Sequence, residues 1–233
     1  MAPVLPLVFV PGLLCSARLF SSQVEALWPA GSVTIADHRR DADMAAIATR
    51  ILADSPPRFA LAGLSMGGYI ALAMLRLAPE RIAKLALLDT SARPDSAEQT
   101  AGREKFIAMA QSGNLDEVVE ALAPRFIHRN RRNDETLKHV IRKMAADTGP
   151  EAFVRQQKAI MSRTDSRPLL GSIRCPTLVL VGDADELTPP DLAREICAGI
   201  TGARLVVVPN CGHLSTLERP DAVNASLLEW LGA

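Results

Sequence analysis

Apolar positions in the first ninety residues fall into two alternating patterns. Short runs of mostly consecutive apolar residues are separated by longer stretches in which they recur every three or four positions. Leu7-Val8-Phe9-Val10, Ser32-Val33-Thr34-Ile35-Ala36, Phe59-Ala60-Leu61-Ala62 and residues 82–88 are of the first kind. Runs of that length and character predict strands buried on both faces. Residues 17–28 carry Leu19, Phe20, Val24, Leu27 and Trp28 at helical spacing, and residues 43–53 and 69–77 are also helical in character. Pro11-Gly12, Ser55-Pro56-Pro57 and Pro79 mark the breaks. Strand and helix in regular alternation predict a parallel sheet with helices on both faces.

Between residues 92 and 170 the alternation stops. Helices are predicted at about 96–111, 115–123, 134–146 and 150–161. Asn114 and Asn133 stand where N-caps belong, Asn114 with Glu117 resembles a capping box, and Pro150 suits a first helical position. An all-helical insertion that leaves and rejoins a sheet at adjacent strands predicts a cap over the strands' carboxyl ends. The expected division is a core of residues 1–91 and 171–233 and a helical cap of residues 92–170. The alternation resumes with a strand at 176–181, a helix at 190–199, a strand at 205–208 and a closing helix at 220–231.

Composition narrows the function classes. With 233 residues and 48% apolar content the chain can bury a large core, and 26 basic residues balance 26 acidic ones. That balance gives no global attraction for nucleic acid or an anionic membrane surface. No apolar run approaches the roughly 20 residues of a membrane span. Residues 1–6 lack a signal-peptide pattern. The scattered cysteines Cys15, Cys175, Cys197 and Cys211 form no Cys-x-x-Cys pair, and a cytoplasmic protein with reduced thiols is expected.

The candidate chemistry centres on Gly63-Leu64-Ser65-Met66-Gly67-Gly68, between a predicted strand and a predicted helix. A serine on so sharp a turn needs neighbours with little side chain, and Gly63 and Gly67 supply that space. This is the Gly-x-Ser-x-Gly nucleophile elbow. A serine needs a base to take its proton, and the base needs an acid. Of four histidines, His128 and His139 lie among basic residues where a solvated helix face is expected. His38 precedes the serine in a charged loop. His213 follows the last strand after Gly212 and can reach across the same sheet end, so it is the expected base. Asp183, Asp185 and Glu186 compete for the acid, with Asp89 at the end of the adjacent strand as an outside alternative whose plainer role is a strand-end turn. Met66 N–H, directly after the nucleophile, is one expected oxyanion donor.

Together with Pro-Thr-Leu-Val-Leu-Val-Gly at 176–182 and Thr188-Pro189, these features resemble the α/β-hydrolase superfamily, in particular its small cytoplasmic esterase-like members. The resemblance extends from Val4 to the end of the chain. It implies an α/β-hydrolase fold with a wholly or mostly parallel sheet of about six strands. The first strand here corresponds to the family's third. It further implies Asp185 as the acid and Leu13 N–H as the second oxyanion donor, although Pro11 replaces the family's usual bracing histidine. The implied activity is serine hydrolysis of carboxylic esters with small-to-medium apolar acyl groups. Thioesterase, lactonase, C–C bond hydrolase and acyltransferase activities, or ligand binding without turnover, are alternatives on the same fold. The expected partner is a small-molecule ester, with no metal or cofactor, no nucleic acid and no membrane. Leu13, Leu14, Met66, Phe106, Ile107, Met109 and Phe126 are candidates for an apolar pocket. The basic run 125–132 is expected to be a solvated face rather than an anion site.

Overall fold

The computed structural model of the chain describes residues 5–232. Residues 1–4, on which the signal-peptide reading partly rests, and residue 233 lie outside them. Six strands form one sheet: β1 (Leu7–Val10), β2 (Val33–Ile35), β3 (Phe59–Leu64), β4 (Ile82–Leu88), β5 (Thr177–Gly182) and β6 (Arg204–Val208). Their order is β2-β1-β3-β4-β5-β6, and every neighbouring pair is parallel. The chain steps outward from β1 to β2, crosses back to β3, and continues outward on the other side. The reversal falls between β1 and β3. In open α/β sheets the crevice at such a reversal, beyond the strands' carboxyl ends, is where ligands bind.

Successive strand residues face opposite sides of the sheet. Leu7 and Phe9 of β1 and Ala60, Ala62 and Leu64 of β3 share a core with α1 (Ser21–Leu27) and α11 (Pro220–Gly232). Val8, Val10, Phe59 and Leu61 share the other core with α2 (Met44–Asp54), α3 (Met66–Leu77) and α9 (Pro190–Gly199). Helices α4 (Ala97–Gln111), α5 (Leu115–Phe126), α6 (Glu135–Thr148) and α7 (Pro150–Met161) follow β4, and the short α8 (Arg167–Leu170) leads back to β5. Val118, Leu122, Ile141 and Phe153 from this insertion are continuous with the core beneath α1 and α11.

Several local expectations are corrected. The region expected as one helix at 17–28 is a 3₁₀ turn (Ala17–Phe20), α1, and a second 3₁₀ turn (Trp28–Ala30). Helix α3 starts at Met66, immediately after the serine, and not at Tyr69. Helix α5 passes through Pro124 to Phe126. A proline in the last turn forfeits one backbone bond, and burial of Leu122 and Phe126 on that turn offsets the loss. Asn114 makes no side-chain cap. Asp134, not Asn133, caps α6, accepting from the N–H groups of Thr136 and Leu137. Asp134 is extended, which turns its side chain towards the helix amides, whereas Asn114 is not. The reciprocal capping box falls at Ser96 and Gln99, opening α4.

Candidate active site

Ser65 stands between the last residue of β3 and the first of α3, at φ 56° and ψ −115°. A non-glycine residue holds such angles only where its surroundings fix it. Ser65 N–H donates to Leu88 O at 2.9 Å, and Thr90 Oγ1 donates to Ser65 O at 2.8 Å. Gly63 and Gly67 supply space rather than unusual angles. A methyl group on Gly63 would overlap the Gly67 carbonyl, and one on Gly67 would overlap the carbonyl of Val10 in β1.

His213 and Asp185 arrive from the loops after β6 and β5. His213 Nε2 lies 2.8 Å from Ser65 Oγ, and its Nδ1 lies 2.8 Å from Asp185 Oδ2. Asp185 is itself fixed. Its Oδ1 accepts from Leu187 N–H (2.8 Å) and Thr188 N–H (3.0 Å), and its Oδ2 accepts from the Thr188 hydroxyl (2.7 Å). Burial opposes ionisation of Asp185, but the charge and hydrogen bond of His213 and the Thr188 donors hold its carboxyl below the ordinary range. Burial also opposes protonation of His213, and Asp185 chiefly, with Asp89 and Glu218, outweighs it and raises the imidazole above 6.5.

The competing acids lie elsewhere. Asp183 is exposed and accepts from Cys211 N–H at 3.0 Å, while the exposed Glu186 pairs with Arg132 at 2.8 Å. Asp89 is more than a strand-end turn. It is fully buried at φ 44° and accepts from Gly182 N–H (2.9 Å) and from the Ser215 hydroxyl. It therefore ties the end of β5, which launches the Asp185 loop, to α10 (Ser215–Glu218), which begins two residues past His213. Burial and the neighbouring Asp185 push its carboxyl up to about 8. On the other side of His213, buried Glu218 accepts from Gly212 N–H and from His128 N–H, both at 2.8 Å. His128, expected on a solvated face, is thus buried beside the His213 loop, whereas His139 is exposed.

The loop after β1 is braced from a distance. Leu14 sits at φ 58°, and its N–H donates to Gln156 Oε1 of α7 at 3.1 Å. Gln156 Nε2 lies 3.0 Å from His38 Nε2, which in turn lies 2.9 Å from Gly12 O. Burial drives His38 down to about 4, so the ring is neutral at pH 7. His38 and Gln156 therefore do for this loop what Pro11 cannot. The N–H groups of Leu13 and Met66 donate to no acceptor among the described residues. Cys15 packs beneath, donating weakly to Leu13 O at 3.3 Å, and burial pushes its thiol up to about 12.

Ser65 and His213 open into a cavity of about 480 Å³ between the sheet and the inserted helices. Leu13, Phe106 and Phe126 line it, and the Phe126 ring stacks on His213 with centroids 6.3 Å apart. Leu14, Met66, Ile107 and Met109 do not line it. Leu14 and Met66 are buried in the two cores, because the turns after Gly12 and Ser65 direct them inward, and Met109, one turn beyond Phe106, packs against the core shared with α1 and α11. In the basic run, Arg131 and Arg132 are bonded to Glu218 O, Asp134, Pro124 O and Glu186, while Arg125 stands at the cavity rim. All four cysteines are unpaired. Among the described residues no cluster of three or more His, Cys, Asp or Glu is arranged to hold a metal ion, and no helix is long and apolar enough to cross a membrane.

Known proteins share this arrangement of elements. A thermophilic esterase from Thermogutta terrifontis superposes with a TM-score of 0.90 at 31% identity, covering 98% of this chain and 89% of its own. An enol-lactonase from Burkholderia xenovorans LB400 superposes with a TM-score of 0.89 at 26% identity, covering 100% and 93%. In sequence, a pimeloyl-[acyl-carrier protein] methyl ester esterase of Neisseria meningitidis is 26% identical over 214 residues, 87% of this chain and 82% of that protein. The model of the alpha/beta hydrolase family matches residues 7–226. By that match and by its six-stranded parallel sheet, the chain belongs to the alpha/beta hydrolase family.

Proposed function

We propose that this hydrolase cleaves carboxylic esters of small-to-medium acyl groups, with Ser65 as nucleophile, His213 as base and Asp185 as its acid partner. One observation carries the proposal: the unbroken hydrogen-bonded chain Ser65 Oγ–His213 Nε2–His213 Nδ1–Asp185 Oδ2, with both links at 2.8 Å, opening into the cavity. Asp185 is acceptor-only when ionised, so Nδ1 carries a proton and Nε2 offers its lone pair to the Ser65 hydroxyl. In the first step Ser65 Oγ adds to the ester carbonyl while its proton moves to Nε2. Leu13 N–H and Met66 N–H hold the resulting oxyanion, each worth about 3–4 kcal/mol of the barrier. The C–O bond breaks, and Nε2–H protonates the departing alkoxide. Water then attacks the acyl-enzyme, its proton going to Nε2 and returning to Ser65 as the carboxylic acid leaves.

The esterase names among the relatives favour esters as substrates, and the lactonase is a reminder that a cyclic ester undergoes the same first step. The test is turnover of a p-nitrophenyl acyl ester series by the wild type and by Ser65→Ala. Turnover by the wild type is expected to exceed that of Ser65→Ala by about a thousandfold or more. Equal, background-level rates would refute the proposal and favour a ligand-binding protein.

A further inference from the structure

The wall of the cavity formed by α4 and α7 carries polar groups that the ester chemistry leaves unused. Gln157 lines the cavity and is 1% exposed. Its Oε1 accepts from Arg103 Nη1 at 2.8 Å, which fixes the amide's orientation. Its Nε2 then faces away from Arg103 and donates to no acceptor among the described residues. Because Gln157 lines the cavity, the two donors of this amide are open to a group that enters there. The Tyr69 hydroxyl, on the same cavity, also has no partner among the described residues.

The charge behind Gln157 is net positive. Asp95 is shared by two arginines, Arg103 at 2.6 Å and Arg163 at 2.8 Å, and the side chains of Asp95 and Arg163 are 4% and 7% exposed. Two guanidinium groups on one carboxylate leave a surplus positive charge in a poorly solvated place, where it acts more strongly than at the surface. At the rim, Lys105 and Arg125 line the cavity without an ion pair among the described residues, against the single carboxylate of Glu98.

The geometry points to an anion subsite: the cavity takes acyl substrates that carry a carboxylate at the end remote from the ester, which accepts from Gln157 Nε2 and is held by the surplus charge on Arg103 and Arg163. This deepens the ester-hydrolase proposal and rests on it for the chemistry, but its binding component is independent of turnover. Gln157 and Arg103 act here as specificity residues and take no part in the bond-breaking steps.

The test compares the monomethyl esters of glutaric, adipic and suberic acids with the corresponding neutral dimethyl esters, across the lengths a cavity of about 480 Å³ admits. Binding to Ser65→Ala is measured by calorimetry, and kcat/KM for the wild type by chromatography of the released acid. At least one monomethyl ester is expected to bind about tenfold tighter than its dimethyl counterpart, with the same preference in kcat/KM. The preference should weaken as salt is raised and fall in Gln157→Leu, which removes the amide donors but leaves the two guanidinium groups. Gln157→Glu, which keeps an acceptor for Arg103 but adds a negative charge, should reverse it. Equal binding of charged and neutral esters by Ser65→Ala at all three lengths would overturn the anion subsite. So would an unchanged preference in Gln157→Glu. If the wild type turned over neither class nor a p-nitrophenyl ester, the hydrolase proposal would fall while the binding comparison still decided the subsite.

Discussion

Replacing Asp185 by asparagine separates the proposed acid from its neighbours more sharply than any other change. Asp185 accepts four hydrogen bonds, two on each oxygen: Leu187 and Thr188 N–H on Oδ1, and the Thr188 hydroxyl and His213 on Oδ2. An asparagine cannot serve all four. With its oxygen left on the two backbone amides, its NH₂ group faces His213 Nδ1, so that nitrogen must become the acceptor and Nε2 the protonated atom. Nε2 then has no lone pair for the Ser65 proton. With the amide turned over, His213 keeps its tautomer but two backbone N–H groups face an NH₂ group, each costing about 1–3 kcal/mol. The first arrangement forfeits the smaller number of bonds and is the one expected. Carboxylate-to-amide changes of this kind in serine proteases cost about ten-thousandfold in kcat, so a loss of about a thousand- to ten-thousandfold is expected, or about 4–5.5 kcal/mol of barrier. The assay is p-nitrophenyl butyrate hydrolysis across pH, with Asp183→Asn and Asp89→Asn alongside. In the wild type, activity should fall as pH drops through the His213 value, which lies above 6.5 because of Asp185. Residual activity of Asp185→Asn should show that limb moved downwards. Wild-type activity within tenfold in Asp185→Asn, or an equal loss in Asp89→Asn, would refute the assignment.

Asp89→Asn should instead be legible in stability. Folded Asp89 keeps its proton up to about pH 8, whereas an unfolded aspartate releases it near 3.8, so its contribution is present in acid and lost as pH rises through 8. The asparagine can serve both Gly182 N–H and Ser215, and its Tm is expected to fall less than that of the wild type between pH 5 and 9; parallel curves in thermal denaturation would contradict this. Gln156→Leu removes the acceptor for Leu14 N–H and the partner of His38, loosening the loop that carries Leu13. A kcat loss of about ten- to a hundredfold is expected, with Tm lowered by only a few degrees, and undiminished kcat would remove Gln156 from the positioning role. Gly67→Ala forces a methyl group into the Val10 carbonyl of the neighbouring strand. It should cost about 3 kcal/mol or more, because backbone and not a side chain must move, and a urea midpoint equal to that of the wild type would show the elbow to be looser than described.

How much of this was legible beforehand follows from what each signal measures. Apolar periodicity reports which face of a segment is buried, and it located all six strands and the main helices with ends shifted by a few residues. The elbow was legible because its constraint is local: Gly63 and Gly67 lie two residues either side of Ser65. His213 was legible because it follows the last strand, and strand ends of a parallel sheet share one side. The choice of Asp185 over Asp183 and Glu186 required a resemblance, since alternate positions in one short loop look equivalent until its fold turns one inward. Asp89 and His38 were visible but their bracing roles were not, and Gln156, Gln157 and Glu218 gave no signal at all. Their roles depend on contacts such as Leu14 with Gln156, 142 residues apart, and Asp89 with Ser215, 126 apart. Polar side chains carry no periodic mark of their partner, and whether two of them meet is set by how helices cross the sheet end. The sequence by itself determined that a serine is presented at the end of a buried parallel strand with a histidine in reach. Only the tertiary structure decided which carboxylate meets that histidine, what braces the loops on either side, and what charge lines the cavity above.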